Sequence, residues 1–124
     1  MRYLILIYGN PASREVWRSL SVEQRAAGIA QYQAFNAELD ASGERVASES
    51  LLDASTAKRV TPRGATVTTT DGPFAESKEH LAGFYLVDCD SMERAVEIGA
   101  RIPEAQAGFV EVRPVRGDLA EFLA

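Results

Sequence analysis

An unbroken run of apolar side chains extends from Tyr3 to Tyr8 near the start of the chain. Continuous apolar runs of this length are typical of strands that are covered on both faces. Three further strands are predicted, at Arg45 to Leu52, Gly83 to Cys89 and Phe109 to Pro114. The pattern therefore predicts a sheet with at least one strand in its interior.

Two stretches repeat apolar residues every three or four positions, which is typical of amphipathic helices. The first runs from Ser21 to Ser42, with a capping box at its start and Gly43 after its end. The second runs from Met92 to Ile102, where Pro103 stops it. The apolar stripe of the first helix consists of Val22, Ala26, Ile29, Tyr32, Phe35 and Leu39.

The remaining segments are shorter. Asn10 to Leu20 opens with an Asn-Pro turn signal and is predicted to hold a short helical turn. Thr56 to Val60 and Ala65 to Thr70 are rich in β-branched residues and flank a Pro/Gly turn at Thr61 to Gly64, which predicts a β-hairpin. The tail, Leu119 to Leu123, is predicted to fold back as a short helix.

The predicted order of elements is β-α-β, hairpin, β-α-β, which indicates an α+β fold. This order is that of the ferredoxin-like split βαβ sandwich with a β-hairpin inserted in its middle. In that fold both helices cover the same face of an antiparallel sheet, and the opposite face has no cover of its own.

The first strand carries apolar side chains on both faces of the sheet. Tyr3, Ile5 and Ile7 alternate with Leu4, Leu6 and Tyr8, so the helices can cover only one of the two sets. At roughly 25 cal/mol per Å² of apolar surface, leaving the second set in water would forfeit several kcal/mol. We therefore expect a homodimer in which two sheets cover each other by isologous contact.

The composition fits one domain over residues 1–124. Hydrophobic residues make up 46% of the 124 residues and charged residues 25%, and no Pro/Gly/Ser-rich linker divides the chain. The formal net charge is −5 and the basic residues are not clustered, so direct nucleic-acid binding is not expected.

The cysteine content and the first residues of the chain bear on disulfides, metal sites and membrane segments. Cys89 is the single cysteine, which excludes an intramolecular disulfide and a thiolate metal cage. The six apolar residues from Tyr3 to Tyr8 are too few for a signal-peptide core or a membrane span. We expect a cytoplasmic protein without membrane contact, metal or cofactor.

The most distinctive segment is Asp71 to Glu79, which reads DGPFAESKE. It resembles the signature of the DGPF proteins, a branch of the YCII-related domain family. The resemblance extends over nearly the whole chain, through Tyr3 to Tyr8, Arg101 to Pro103 and Val110 to Pro114. It implies a ferredoxin-like subunit that pairs into a dimeric α+β barrel.

The same resemblance leaves enzymatic activity open. Simpler YCII proteins have a histidine and an aspartate suggested as an active-site pair, but the first predicted helix, Ser21 to Ser42, contains no histidine. That pair therefore has no counterpart here. Some relatives are associated with sigma-factor-like proteins, which implies a link to transcription.

Two interpretations of the DGPF segment are open. In the first it is a rigid turn, in which Gly72 and Pro73 set the backbone and Phe74 plugs the core or the barrel mouth. In the second it is a loop at the rim of a ligand pocket, since loops on rigid scaffolds often carry function. The ligand-binding candidates are Asp71, Phe74, Glu76, Lys78, Glu79 and His80.

Other candidates for chemistry are few. His80 is the single histidine, and histidine is the most common general acid or base near neutral pH, although no partner for it is evident in the sequence. Tyr8, Tyr32 and Tyr85 could place hydroxyls in a cavity, but each lies on an apolar stripe, where packing explains it first. No catalytic residue is assigned.

Two classes of function follow. The leading hypothesis is a homodimeric barrel that binds a small molecule. The alternative is a non-enzymatic accessory that binds a protein partner, linked to sigma-factor-dependent transcription. A pocket lined by polar groups would favour the first, and a filled barrel with an apolar patch elsewhere would favour the second.

Overall fold

The computed structural model describes residues 1–72 and 78–123. Within them the strands are β1 (Arg2–Gly9), β2 (Arg45–Ser50), β3 (Lys58–Arg63), β4 (Thr66–Asp71), β5 (His80–Asp88) and β6 (Val110–Pro114). The α-helices are α1 (Pro11–Ser19), α2 (Val22–Ser42) and α3 (Met92–Ala100). Three short 3₁₀ helices lie at Ala54–Thr56, Pro103–Ala107 and Leu119–Leu123.

Four strands form one antiparallel sheet in the order β2-β5-β1-β6. The two central strands come from different halves of the chain, with Tyr3 opposite Val87 on one side and opposite Pro114 on the other. Strands β3 and β4 pair only with each other, as a hairpin inserted between β2 and β5. The strand order and pairing confirm the predicted ferredoxin-like fold and its inserted hairpin.

The core lies between the sheet and the helices. On β1 the side chains of Tyr3, Ile5 and Ile7 are buried, whereas Leu4 and Leu6 on the opposite face are partly exposed. This alternation confirms the two-faced strand. The helices supply buried side chains to the same core, namely Phe35 and Leu39 from α2 and Ala95 and Ile98 from α3.

The segment after β1 is a complete helix, α1, and not the short turn that was predicted. Asn10 and Ser13 form a capping box: the Asn10 side chain accepts from the Ser13 amide at 2.8 Å, and the Ser13 hydroxyl accepts from the Asn10 amide at 2.9 Å. Pro11 occupies the first helical position, where its fixed φ favours the helix. The Asn-Pro pair therefore starts a helix. The turn was predicted because asparagine and proline are common both in turns and at the start of helices.

Several predicted boundaries were wrong by a few residues. Pro62 lies inside β3, opposite Val67, and the hairpin turns at Gly64, whose φ is 61°. Proline is tolerated there because the two-stranded hairpin has free edges. Strand β5 begins at His80, three residues earlier than Gly83, so that histidine belongs to a strand and not to a loop.

The core buries only the second half of the apolar stripe of α2. Phe35 and Leu39 are its buried residues, whereas Val22 and Ile29 are 69% and 50% exposed. At about 1.5 Å per residue, a helix of 21 residues is longer than the strands it crosses. The first half of α2 therefore has an apolar face that the sheet core does not fill.

Candidate functional site

A cleft of about 810 Å³ opens beside this unfilled face of α2. Its walls are α1, the first half of α2, residues 48–54 and the first residues of β5. The ends of β1 and of the 3₁₀ helix Pro103–Ala107 complete it. The cleft is thus formed where four separate parts of the chain meet at one end of the sheet.

The outer walls of the cleft are apolar. Trp17 of α1 is 43% exposed and lies against Gly28 of α2, where a β-carbon would be 3.3 Å from the indole ring. The absence of a side chain at Gly28 lets the two helices approach with the indole between them. The other exposed large apolar side chains of the walls are Val16, Ile29, Leu51, Leu52 and Leu81.

The inner end of the cleft is polar, and we call its four residues the tyrosine cluster: Tyr32, Asn36, Tyr85 and Glu104. The Tyr32 hydroxyl donates to the Glu104 carboxylate, 2.7 Å from Oε1, and so joins α2 to the 3₁₀ helix after α3. The Tyr85 hydroxyl donates to Asn36 Oδ1 and joins β5 to α2.

Burial holds both phenols of the cluster in their neutral form. Desolvation raises the pKa of Tyr32, and the hydrogen bond to Glu104 and the negative charge of that carboxylate raise it further. Burial also raises the pKa of Tyr85, whose ring packs edge-on against Phe35 with the centroids 5.7 Å apart. Both hydroxyls therefore keep their protons well above neutral pH.

The mouth of the cleft carries charged side chains. Arg14 of α1 forms an ion pair with Asp53, which links α1 to the segment after β2. Arg18 of α1 is exposed along the same wall. His80 lines the cleft at the first position of β5 and is partly buried.

The other sequence candidates lie elsewhere or outside the described residues. Asp71 is 85% exposed and pairs with Lys58 at the base of the hairpin. Lys78 and Glu79 are exposed and are not among the described residues that line the cleft. Phe74 and Glu76 lie outside the described residues. Of the six candidates, the structure brings His80 to the cleft, and the remaining five stay predictions.

The tyrosine cluster was only partly visible in the sequence. Tyr32 and Tyr85 were interpreted first as packing residues, because each lies on an apolar stripe. Asn36 and Glu104 were not singled out at all. A usable signal was Asn36, a polar residue beside the buried Phe35 on the core face of α2.

Two other kinds of site, a metal centre and a reactive thiol, have no support in the described residues. Residues 1–72 and 78–123 contain no group of three or more His, Cys, Asp or Glu side chains that could hold a metal ion. Cys89 is buried, and desolvation raises the pKa of its thiol, which disfavours a nucleophilic thiolate. None of the helices in this part of the chain is long and apolar enough to span a bilayer.

Known proteins resemble the chain to different extents. An uncharacterized protein of Rhizobium meliloti is 49% identical over 47 residues, which are 36% of this chain and 38% of that protein. The matched segment thus spans less than half the length of that relative. A solved structure of 5-chloro-2-hydroxyhydroquinone dehydrochlorinase (TftG) from Burkholderia phenoliruptrix AC1100, in complex with 2,5-dihydroxybenzoquinone, aligns with a TM-score of 0.49 and 17% identity. That alignment covers 95% of this chain and 96% of the other.

The family comparison covers almost the full length. The model of the YCII-related domain matches residues 1–118, which include every strand of the sheet, the core helices α2 and α3 and all residues of the tyrosine cluster. The chain belongs to the YCII-related domain family.

Proposed function

We propose that the protein binds a small molecule in the cleft beside α1 and α2, and that it does so as a homodimer. The observation that carries the binding proposal is the combination of an open apolar cleft with a polar cluster at its inner end. Its volume of about 810 Å³ is within the range of small-molecule sites.

The two parts of the cleft have different roles in binding. The exposed walls at Trp17, Ile29 and Leu52 bury the apolar body of a ligand, which supplies most of the binding free energy. The tyrosine cluster is fixed by its own hydrogen bonds and orients the polar end of the ligand. No reaction is assigned to the site.

The alternative function, an accessory that binds a protein partner, predicts a filled cavity and an apolar patch elsewhere. The cleft is open, and six exposed apolar side chains of the chain line it. These observations favour a ligand over a protein partner at this end of the sheet.

The outward face of the sheet supports the homodimer. Leu4 lies opposite Leu86, and Leu6 lies opposite Phe84, so four partly exposed apolar side chains form one central patch on β1 and β5. Charged residues of β6 border it, since Glu111 pairs with Leu6 and Arg113 with Leu4. An apolar centre with a charged border is typical of interfaces between subunits.

The hairpin is a second feature that a partner subunit would stabilise. All residues of β3 and β4 are exposed, including Val60 and Val67 at 63% each. Isolated two-stranded ribbons are marginally stable in water. We propose that a second copy of the chain covers part of this ribbon together with the outward sheet face.

A ligand screen by thermal shift tests the binding proposal, because a ligand that binds only the folded state raises the melting temperature, and does so more as its concentration exceeds its Kd. Leu52 lines the cleft and is 83% exposed, so Leu52→Arg obstructs the cleft with little effect on folding. Leu123, which is 89% exposed and does not line the cleft, provides the matched control Leu123→Arg. Compounds should stabilise the wild type and the control but not Leu52→Arg. Compounds that bind all three proteins equally, or a library without a hit, would contradict the proposal.

A further inference from the structure

The two tyrosine hydroxyl protons at the inner end of the cleft already form hydrogen bonds within the protein. Tyr32 donates its proton to Glu104, and Tyr85 donates its proton to Asn36 Oδ1. A phenol has one proton to donate but also lone pairs that accept. The two phenol oxygens and the carboxylate can therefore still accept hydrogen bonds from a ligand.

Glu104 also brings a charge to this end of the cleft. In the part of the chain that the structure describes, Glu104 accepts from Tyr32 and forms no ion pair. Arg45, which is close enough to influence Tyr85, is held by Asp40 through contacts of 2.6 and 2.8 Å. Arg14 at the mouth is likewise held by Asp53. The inner end is thus electrostatically suited to a positive group.

We propose that the cleft selects amines: ligands with an apolar or aromatic body whose protonated amino group binds the tyrosine cluster. This inference rests on the proposed function. The ammonium donates to the Glu104 carboxylate and to the phenol oxygens of Tyr32 and Tyr85, and such charge-assisted hydrogen bonds are stronger than neutral ones. The body of the ligand lies against Trp17 and the leucines of the outer walls.

A carboxylate ligand of the same shape is at a disadvantage here. At the cluster it would meet the like charge of Glu104 and three oxygen acceptors, with only the Asn36 amide able to donate. The cleft-lining side chains that can carry a positive charge and have no partner among the described residues are Arg18 of α1 and His80 at the first position of β5, and Gln33 adds a neutral donor. We therefore expect a cationic group to bind at the tyrosine cluster and an anionic group to bind nearer Arg18 and His80.

Phenethylamine and hydrocinnamate provide matched probes, since they share an aromatic ring and a two-carbon spacer and carry opposite charges. Titration calorimetry and thermal shift with the full chain should show phenethylamine binding about tenfold more tightly than hydrocinnamate. Glu104→Gln retains an acceptor for Tyr32 but removes the charge, and should abolish this preference. Glu93→Gln removes an exposed charge on α3 away from the cleft and should leave the preference unchanged.

Three results would overturn the amine assignment: tighter binding of hydrocinnamate, an unchanged preference in Glu104→Gln, or no binding of either probe at millimolar concentration. Tyr32→Phe provides a second variant should Glu104→Gln unfold, and it should weaken phenethylamine more than hydrocinnamate. Library compounds whose binding Leu52→Arg abolishes would still support the proposed function when the amine assignment fails.

Discussion

A β-carbon on Gly83 would lie 2.8 Å from the carbonyl oxygen of Glu49, which is closer than the two atoms can approach. Gly83 belongs to β5 and pairs with Ser50 at the end of β2. Both residues line the cleft, so this close approach of β2 and β5 is also part of its wall. The glycine is required for steric room and not for an unusual φ, since its φ is not positive.

Gly83→Ala should therefore destabilise the fold by about 1–3 kcal/mol, because β2 must move away from β5 to accommodate the methyl group. Gly117→Ala is the matched control, since a β-carbon there meets nothing within 4 Å and should change stability by less than about 0.5 kcal/mol. Urea unfolding of the three proteins measures both values. Equal stabilities for the two variants would show that β2 yields without cost.

The sheet and the helices α2 and α3 could be predicted because burial imposes a period on the sequence. The β1 residues Tyr3, Ile5 and Ile7 must face the helices, and this alternation alone places both faces of the sheet. Helix α2 was located by its capping box and its stripe, which local residues determine. Helix α1 was underestimated because Asn10 and Pro11 suit a turn and a helix start equally well.

The candidate site could not be predicted in the same way. Tyr32 and Glu104 are 72 positions apart, and no periodicity links a residue of α2 to the 3₁₀ helix after α3. Their pairing depends on how α2 and that 3₁₀ helix are brought together by the fold. His80 was found because it is the single histidine, a property of the sequence that needs no knowledge of contacts.

The capping box of α1 supports one wall of the cleft. Asn10→Ala removes the acceptor that the Ser13 amide uses, so it should reduce the free energy of unfolding by about 1 kcal/mol. Asn10→Asp keeps a side-chain acceptor and should restore most of that loss. Urea melts compare the three proteins, and an alanine variant as stable as the wild type would show that the cap contributes nothing.

Acid stability depends on the ion pair between Glu44, the residue before β2, and Arg94 of α3, which meet through two contacts of 2.8 Å. The hydrogen bonds from Arg94 lower the pKa of Glu44 from 4.5 to about 2, although burial acts in the opposite direction. Because the pKa is lower in the folded state, the stabilisation is complete above pH 4.5 and is lost as the pH falls toward 2.

Glu44→Gln should therefore reduce the free energy of unfolding by about 1–2 kcal/mol at neutral pH. The difference from the wild type should shrink as the pH falls from 4.5 toward 2 and below, because the wild-type carboxylate becomes protonated over that range. Glu93→Gln removes an exposed carboxylate in the first turn of α3, where the helix dipole stabilises the charge, and should therefore cost less than Glu44→Gln at neutral pH. A difference that is constant with pH would show that Glu44 acts through its shape and not through its charge.

The patch of Leu4, Leu6, Phe84 and Leu86 on the outward sheet face leads to a prediction about assembly. Light scattering behind gel filtration should give the wild type a mass of twice 13.5 kDa, because a second sheet removes this apolar surface from water. Leu6→Glu places a carboxylate at the centre of the patch, on a face that the core of the single subunit does not use. It should therefore give a folded monomer, since two carboxylates related by the dimer axis would be buried close together without a partner. Leu123→Glu, on a side chain that is 89% exposed, should stay dimeric. A wild-type monomer, or a Leu6→Glu dimer, would place the dimer contact elsewhere or remove it altogether.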